Sequence, residues 1–180
     1  GADICGNSGD LTNNELCARW YQLGIFYPFS RNYNNELTSH QYPYVFLNWP
    51  IVDQKITYGD VIRDAMLIWY RLHSYLYTLT HFSSQTGSPM IRPMFYNYPE
   101  DPWSYNDVLE NVMLGDAIKF SPIYWVTSDY RISIYFPGDA ENFWCPLVPD
   151  QIVQCFPGGS NQIFSKFPSV SEIFAHVAPG

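Results

Sequence analysis

Residues 12–29 read Thr12-Asn13-Asn14-Glu15-Leu16-Cys17-Ala18-Arg19-Trp20-Tyr21-Gln22-Leu23-Gly24-Ile25-Phe26-Tyr27-Pro28-Phe29, a helix pattern running into a short apolar one. Thr12 and Glu15 have the spacing of a capping box, in which a hydroxyl and a carboxylate each satisfy a backbone N–H that the first helical turn leaves unpaired. Leu16, Trp20 and Leu23 follow at i, i+4 and i+7 as one apolar stripe, and Gly24 is placed to end the helix in the left-handed conformation. The next five residues, Ile25 to Phe29, are too few for a helix and are bounded by Gly24 and the polar Ser30-Arg31-Asn32, so they predict a buried strand. Upstream, Gly1-Ala2-Asp3-Ile4-Cys5-Gly6 reads as the tail of another strand entering a loop. Strand and helix units of this kind point to an α/β fold.

Downstream, a polar, aromatic loop is expected from Tyr33 to about Thr57. Asp60 is a good N-cap for the longest periodic segment, which sets Val61, Ile62, Ala65, Ile68, Trp69, Leu72, Tyr75, Leu76 and Leu79 on one broad face. That helix is expected to run to about His81, with Gly87 and Pro89 preventing its continuation. Beyond Ser88 the pattern changes. Tyr130, Ile132, Ile134 and Phe136 alternate with Arg131, Ser133 and Tyr135, the period-2 signature of a half-buried strand, and Pro137-Gly138-Asp139 turns it. Residues 90–98, 112–120 and 173–177 also read as strands. The chain therefore divides into strand-helix units over 1–87 and a β-rich region over 88–180. Its first and last residues read as cuts through a longer protein.

Composition narrows the function. The 180 residues carry 9 Lys and Arg against 17 Asp and Glu, a formal charge of -8, with no basic stripe. Nucleic acid and anionic membrane surfaces are therefore poor partners, because neutralising phosphates needs clustered cations. Apolar residues make up 47% and charged ones 14%, against the roughly 25% charged that is usual, so the chain collapses rather than staying disordered. The longest apolar run, Ala65 to Tyr70, is far short of the roughly 20 residues a membrane helix needs, and no signal-peptide pattern opens the chain.

Chemistry-bearing residues are few. No Cys-x-x-Cys occurs, and His73 and His81, eight apart on one helix, lie about 12 Å apart along its axis, so no metal site is expected. Cys5 and Cys17 are compatible with a disulfide in an exported protein and equally with two buried thiols. Glu100, Asp101, Asp139 and Glu141 sit in Pro- or Gly-rich turns, where carboxylates usually make Asx-type hydrogen bonds and meet water. Asp3 differs, because it stands at the C-terminal end of a strand, where barrel enzymes keep their working residues, although loop N–H groups could equally satisfy it. No Gly-x-Ser-x-Gly elbow, phosphate-cradling loop or Ser/His/Asp set can be placed. The aromatic loop from Arg31 to Trp49 suits stacking on sugar faces, and equally suits a core.

More specific are Gly-Ala-Asp-Ile-Cys-Gly at 1–6, Glu15-Leu16-Cys17-Ala18-Arg19-Trp20-Tyr21-Gln22-Leu23-Gly24 and Phe26-Tyr27-Pro28-Phe29-Ser30-Arg31-Asn32. With them go Leu76-Tyr77-Thr78-Leu79, Arg92-Pro93-Met94-Phe95, Tyr98-Pro99-Glu100-Asp101, Met113-Leu114-Gly115-Asp116-Ala117 with Ser121-Pro122, and Tyr135-Phe136-Pro137. In this order they closely resemble glycoside hydrolase family 31, the α-glucosidase family, over nearly the whole chain, thinning after about residue 140.

The resemblance implies the C-terminal part of a (β/α)8 TIM barrel over 1–87, seen from the end of its seventh strand, followed by a partial β-sandwich, the truncated proximal C-terminal β-domain, over 88–180. It implies a retaining α-glycosidase that hydrolyses O-glycosyl bonds through two aspartates. Both lie upstream of residue 1, so the chain holds no catalytic residue, and no cofactor or metal is implied. Asp3 falls on the aspartate at the end of strand seven that belongs to the polar network around the first sugar. Tyr33 falls where the family has a sugar-binding histidine, and Asn7 replaces a phenylalanine that lines the pocket. These departures leave a second expectation open, a non-catalytic sugar-binding or regulatory relative. Cys5 and Cys17 fall on cysteines that form a disulfide in secreted members. The implied partners are an oligosaccharide or α-glucoside substrate and the rest of the barrel upstream, with no nucleic acid and no membrane insertion. The implied location is the secretory pathway, a lysosome or the extracellular space.

Overall fold

In the computed structural model, which describes residues 2–7, 13–36, 39–52, 55–124, 131–148, 154–165 and 173–178, the chain falls into two units, Gly1–His81 and Phe82–Gly180. In the first, strand β1 (Ala2–Asp3), helix α1 (Asn14–Gly24) and strand β2 (Ser30–Arg31) follow one another. The two strands pair in parallel, Ala2 opposite Ser30 and Asp3 opposite Arg31.

The start of α1 differs from the expected capping box, whose Thr12 lies outside the described residues. Asn13 is the cap, its Oδ1 accepting the Leu16 N–H at 2.7 Å. Glu15 then stands one residue short of the position a reciprocal cap needs, and its carboxylate takes Arg19 one turn on, at 2.8 Å. Gly24 closes the helix, but not with the positive φ expected of it. Closeness favours glycine instead: a Cβ here would lie 2.3 Å from Ile4 Cδ1, so that side chain would have to shift.

The strand expected over 25–29 is a turn. The N–H groups of Ile25, Phe26 and Tyr27 donate to the carbonyls of Tyr21, Leu23 and Gly24 at 3.2, 3.2 and 3.1 Å, continuing the helical direction. Ile25 and Phe26 are buried, Phe29 is 60% exposed, and the strand begins only at Ser30. An apolar run fixes burial without fixing conformation, and Pro28 has no N–H to give a ladder.

Helix α2 (Tyr58–Thr86) starts before Asp60, which is not the cap but the third helical residue. Its Oδ2 accepts the Thr57 N–H and hydroxyl, both at 2.8 Å, while Thr57 Oγ accepts the Asp60 N–H at 3.1 Å. The reciprocal cap expected at Thr12 is thus found at Thr57. The helix also passes the expected end at His81 and stops at Gly87, φ +74, whose N–H reaches Ser83 O at 2.8 Å. Val61, Ile62, Ala65, Ile68, Leu72 and Leu76 form the buried stripe the periodicity predicts. The loop expected over 33–57 contains a 3-10 helix, Pro43–Asn48, and a bridge between Pro50 and Thr57.

In the second unit the order is β3 (Ile91–Pro93), α3 (Met94–Asn97), β4 (Val112–Leu114), β5 (Ile118–Phe120), β6 (Arg131–Phe136), β7 (Phe143–Pro146), β8 (Phe156–Pro157), β9 (Ser160–Ser165) and β10 (Ala175–Val177). A six-stranded sheet has the order β3-β4-β5-β10-β7-β8, and β6 pairs antiparallel with β9. Three expected strands are shortened. Residues 90–98 leave extended structure at Met94, which a single helical turn carries into the core. Residues 112–120 are a hairpin, folded at Gly115 with φ +61, a conformation that favours glycine. The expected strand 173–177 is only Ala175–Val177. The inward face expected of 132–136 is observed, with Ile132, Ile134 and Phe136 at most 4% exposed, but Tyr135, expected on the other face, is buried as well at 9% and joins the same core cluster, its hydroxyl donating to Asp101. Tyr130 lies outside the described residues. Residues of both sheets, Met113 and Trp144 of one and Ile132, Ile134 and Phe136 of the other, share one buried cluster.

Candidate functional site

Parallel pairing of β1 with β2 sets Asp3 and Arg31 side by side at the ends of their strands. The chain then turns sharply. Cys5 and Gly6 take φ +71 and +79, and Gly6 N–H reaches Asp3 O at 2.9 Å. Such a conformation is uncommon for a side-chain-bearing residue, and two tethers hold it here. A Cys5–Cys17 disulfide ties the turn to α1, and Gln41 Nε2 donates to Gly6 O at 2.8 Å. Beside it, Ile4 N–H donates to Arg31 O at 2.7 Å and Asn32 Nδ2 to Ile4 O at 2.9 Å, which extends the pairing past the strand ends. The turn delivers Asn7, and the exit from β2 delivers Tyr33.

All three residues singled out from the sequence meet. Asn7 Nδ2 donates to the Tyr33 hydroxyl oxygen at 3.1 Å, and that hydroxyl donates to Asp3 Oδ2 at 3.3 Å. Arg31 Nε donates to Asp3 Oδ1 at 2.8 Å, and the Arg31 guanidinium carbon lies 5.1 Å from the Tyr33 ring centroid. The hydrogen bond from Arg31 comes first among the effects that hold the Asp3 carboxyl below its ordinary range. Desolvation opposes it, and the Arg31 charge and the Tyr33 hydroxyl reinforce it. The same bond raises Arg31. The side chains of Asp3 and Arg31 are 32% and 56% exposed, so the network is open to solvent.

Chemically the arrangement presents acceptors. An ionised carboxylate with two partners keeps lone pairs for a ligand, while Asn7 Oδ1, without a partner among the described residues, is itself buried. Nothing in the cluster supplies a nucleophile beside a base. Arg31 is the member that motif reading passed over as a site residue, although its place opposite Asp3 follows once the two strands are aligned. A cavity of about 330 Å³ lies alongside, lined by Ile4, Tyr21, Ile25, Met66 and Trp69 and sharing Arg31 and Asn32 with the β2 end. Asp3, Tyr33 and Asn7 do not line it.

Away from this site, Asp101 behaves as a turn carboxylate, accepting the Trp103 N–H at 3.0 Å and the Tyr135 hydroxyl at 2.7 Å. Cys145 and Cys155, which the sequence left unassigned, form a second disulfide. Among the described residues no three His, Cys, Asp or Glu side chains converge as a metal site, and no helix is long and apolar enough to cross a membrane.

Residues 1–79 match the model of the glycosyl hydrolases family 31 TIM-barrel domain, and residues 87–177 match that of the glycosyl hydrolase family 31 C-terminal domain. A probable alpha/beta-glucosidase of Aspergillus clavatus is 44% identical over 144 residues, 80% of this chain and 15% of that protein. A probable maltase-glucoamylase 2 of Homo sapiens is 42% identical over 137 residues, 76% of this chain and 5% of that protein. The chain thus spans a small part of the length of these relatives. Among solved structures, a Flavobacterium johnsoniae GH31 dextranase mutant complexed with isomaltotriose superposes with a TM-score of 0.77 at 20% identity, over 98% of this chain and 20% of that one. At that identity the likeness is one of fold.

Proposed function

The chain belongs to glycoside hydrolase family 31, and from that premise we propose that it is a segment of a retaining α-glycosidase, hydrolysing O-glycosyl bonds with two carboxylates that lie outside these 180 residues. Asp3, Tyr33 and Asn7 form one wall of its sugar subsite. The observation that carries this reading is their convergence at the end of a parallel strand pair, open to solvent and rich in acceptors. Residues 1–87 supply strand-helix units of the barrel. Residues 88–180 supply part of a β-sandwich, a reading supported by the core that β6 shares with the six-stranded sheet. The substrate is an α-glucoside or oligosaccharide, and the partner in folding is the rest of the barrel. Two disulfides support an oxidising location, the secretory pathway, a lysosome or the extracellular space.

A second reading is favoured by one particular contact. The Tyr33 hydroxyl gives its only proton to Asp3 and accepts from Asn7, so it has no donor left for a sugar. A non-catalytic sugar-binding or regulatory relative needs no more than that. Incubating the complete protein with an aryl α-glucoside separates the two. The enzyme reading expects sugar release with retained configuration, and none from the isolated 180-residue chain. Sugar binding without turnover by the complete protein selects the second reading, and turnover by the isolated chain overturns the placing of the catalytic carboxylates.

A further inference from the structure

Arg31 touches both members of the network that face solvent, in two different ways. Its Nε takes Asp3 Oδ1 at 2.8 Å, leaving Oδ2 to the Tyr33 hydroxyl at 3.3 Å, so each carboxylate oxygen has one fixed partner and one direction left over. Its guanidinium lies 5.1 Å from the Tyr33 ring centroid, a cation–π contact that holds the ring plane. Asn7 then fixes the remaining freedom of the Tyr33 hydroxyl at 3.1 Å. Removing Arg31 frees the carboxylate to rotate, the ring to tilt and the hydroxyl proton to change partner. Arg31 is anchored for this task through its own backbone, whose carbonyl accepts the Ile4 N–H at 2.7 Å.

We propose that Arg31 is the positioning residue of the sugar site, holding the Asp3 carboxylate and the Tyr33 ring aimed so that ligand hydroxyls donate to Asp3. This rests on the reading of Asp3, Tyr33 and Asn7 as a sugar subsite and adds the residue that fixes how its carboxylate is aimed. Among the described residues, Arg31 and Tyr33 are the titratable groups that face Asp3. Arg31 lowers the carboxyl, so its loss returns Asp3 toward the ordinary range. Binding that requires the carboxylate is lost as pH falls, and without Arg31 that loss comes at a higher pH. Lysine keeps the charge but cannot bond and stack with one planar group.

The test is calorimetric titration of the complete protein with methyl 4-thio-α-maltoside, a non-hydrolysable α-glucoside, between pH 3.5 and 7. Arg31→Gln is expected to weaken binding about tenfold at neutral pH and to shift the acid loss of binding upward. Arg31→Lys is expected to leave that midpoint near the wild-type value while recovering only part of the affinity. Wild-type affinity and an unmoved midpoint in a folded Arg31→Gln protein overturn the inference. The underlying reading fails separately. If the wild-type protein does not bind the probe, or Asp3→Asn and Tyr33→Phe bind as wild type, the subsite itself is wrong and the role of Arg31 falls with it. If Asp3→Asn weakens binding and Arg31→Gln does not, only the role of Arg31 is lost.

Discussion

The two units handle charge in opposite ways. At the ends of β1 and β2, Asp3 and Arg31 are paired, bonded and open to solvent. In the six-stranded sheet, Lys119 of β5 and His176 of β10 stand opposite one another in register, 0% and 1% exposed. Lys119 Nζ donates to Ser121 Oγ at 2.8 Å and lies 5.4 Å from the Phe136 ring centroid. The His176 ring meets Phe136 and Phe156 edge-on at 4.7 and 5.8 Å, and its Nε2 has no partner among the described residues. Among the described residues no carboxylate bonds either base, although the charge of Glu110 acts on Lys119. Burial pushes Lys119 down to about 7 and, with the Lys119 charge, His176 down to about 3. A paired charge at the surface is cheap to keep and ready for a ligand. An uncompensated buried base makes stability a function of pH.

The contrast breaks most visibly at Lys119. Lys119→Met removes a buried amine and keeps the stem, and it is expected to stabilise the second unit by about 3 kcal/mol at pH 7. The folded value of about 7 lies below the unfolded 10.5, so the unfolded chain binds more protons between them and stability rises with pH across that interval. Chemical denaturation of the complete protein at pH 7 and 10 checks both statements, since the variant should lose the slope. Equal stability of variant and wild type at pH 7 removes this account.

A smaller effect is expected on the acid side. His176 is also depressed when folded, so its contribution is whole above 6.5 and is lost as pH falls toward 3. Between pH 6.5 and 5 the loss is about 2 kcal/mol. His176→Leu should flatten denaturation midpoints over that range, and an unchanged slope counts against the assignment. By comparison, Asp3→Asn and Arg31→Gln are expected to leave the melting temperature within experimental scatter, because both groups are exposed.

What could be read from the sequence follows physical lines. The stripe of α2 repeats over many residues, so one period fits and the burial follows, whereas at 132–136 the alternation gives the inward face of Ile132, Ile134 and Phe136 but not the burial of Tyr135. Residues 25–29 gave the wrong conformation because five apolar residues carry no period, and their N–H groups found the end of α1 first. The meeting of Asp3, Tyr33 and Asn7 was expected only through resemblance to a family. Arg31 was not singled out, because its role comes from strand register and a ring contact rather than from its neighbours in sequence. Lys119 was hidden for a related reason. Nothing between Ile118 and Phe120 signals its burial in the sequence, yet all three residues of β5 are buried and the Lys119 amine lies against the Phe136 ring of the other sheet.

A crystal structure of the complete protein with methyl 4-thio-α-maltoside bound tests the central claim directly. The prediction is a sugar hydroxyl within about 3.2 Å of an Asp3 carboxylate oxygen, with Arg31 still bonded to Asp3 from the other side. A sugar ring seated in the barrel with Asp3 beyond hydrogen-bond reach of any of its hydroxyls contradicts the claim.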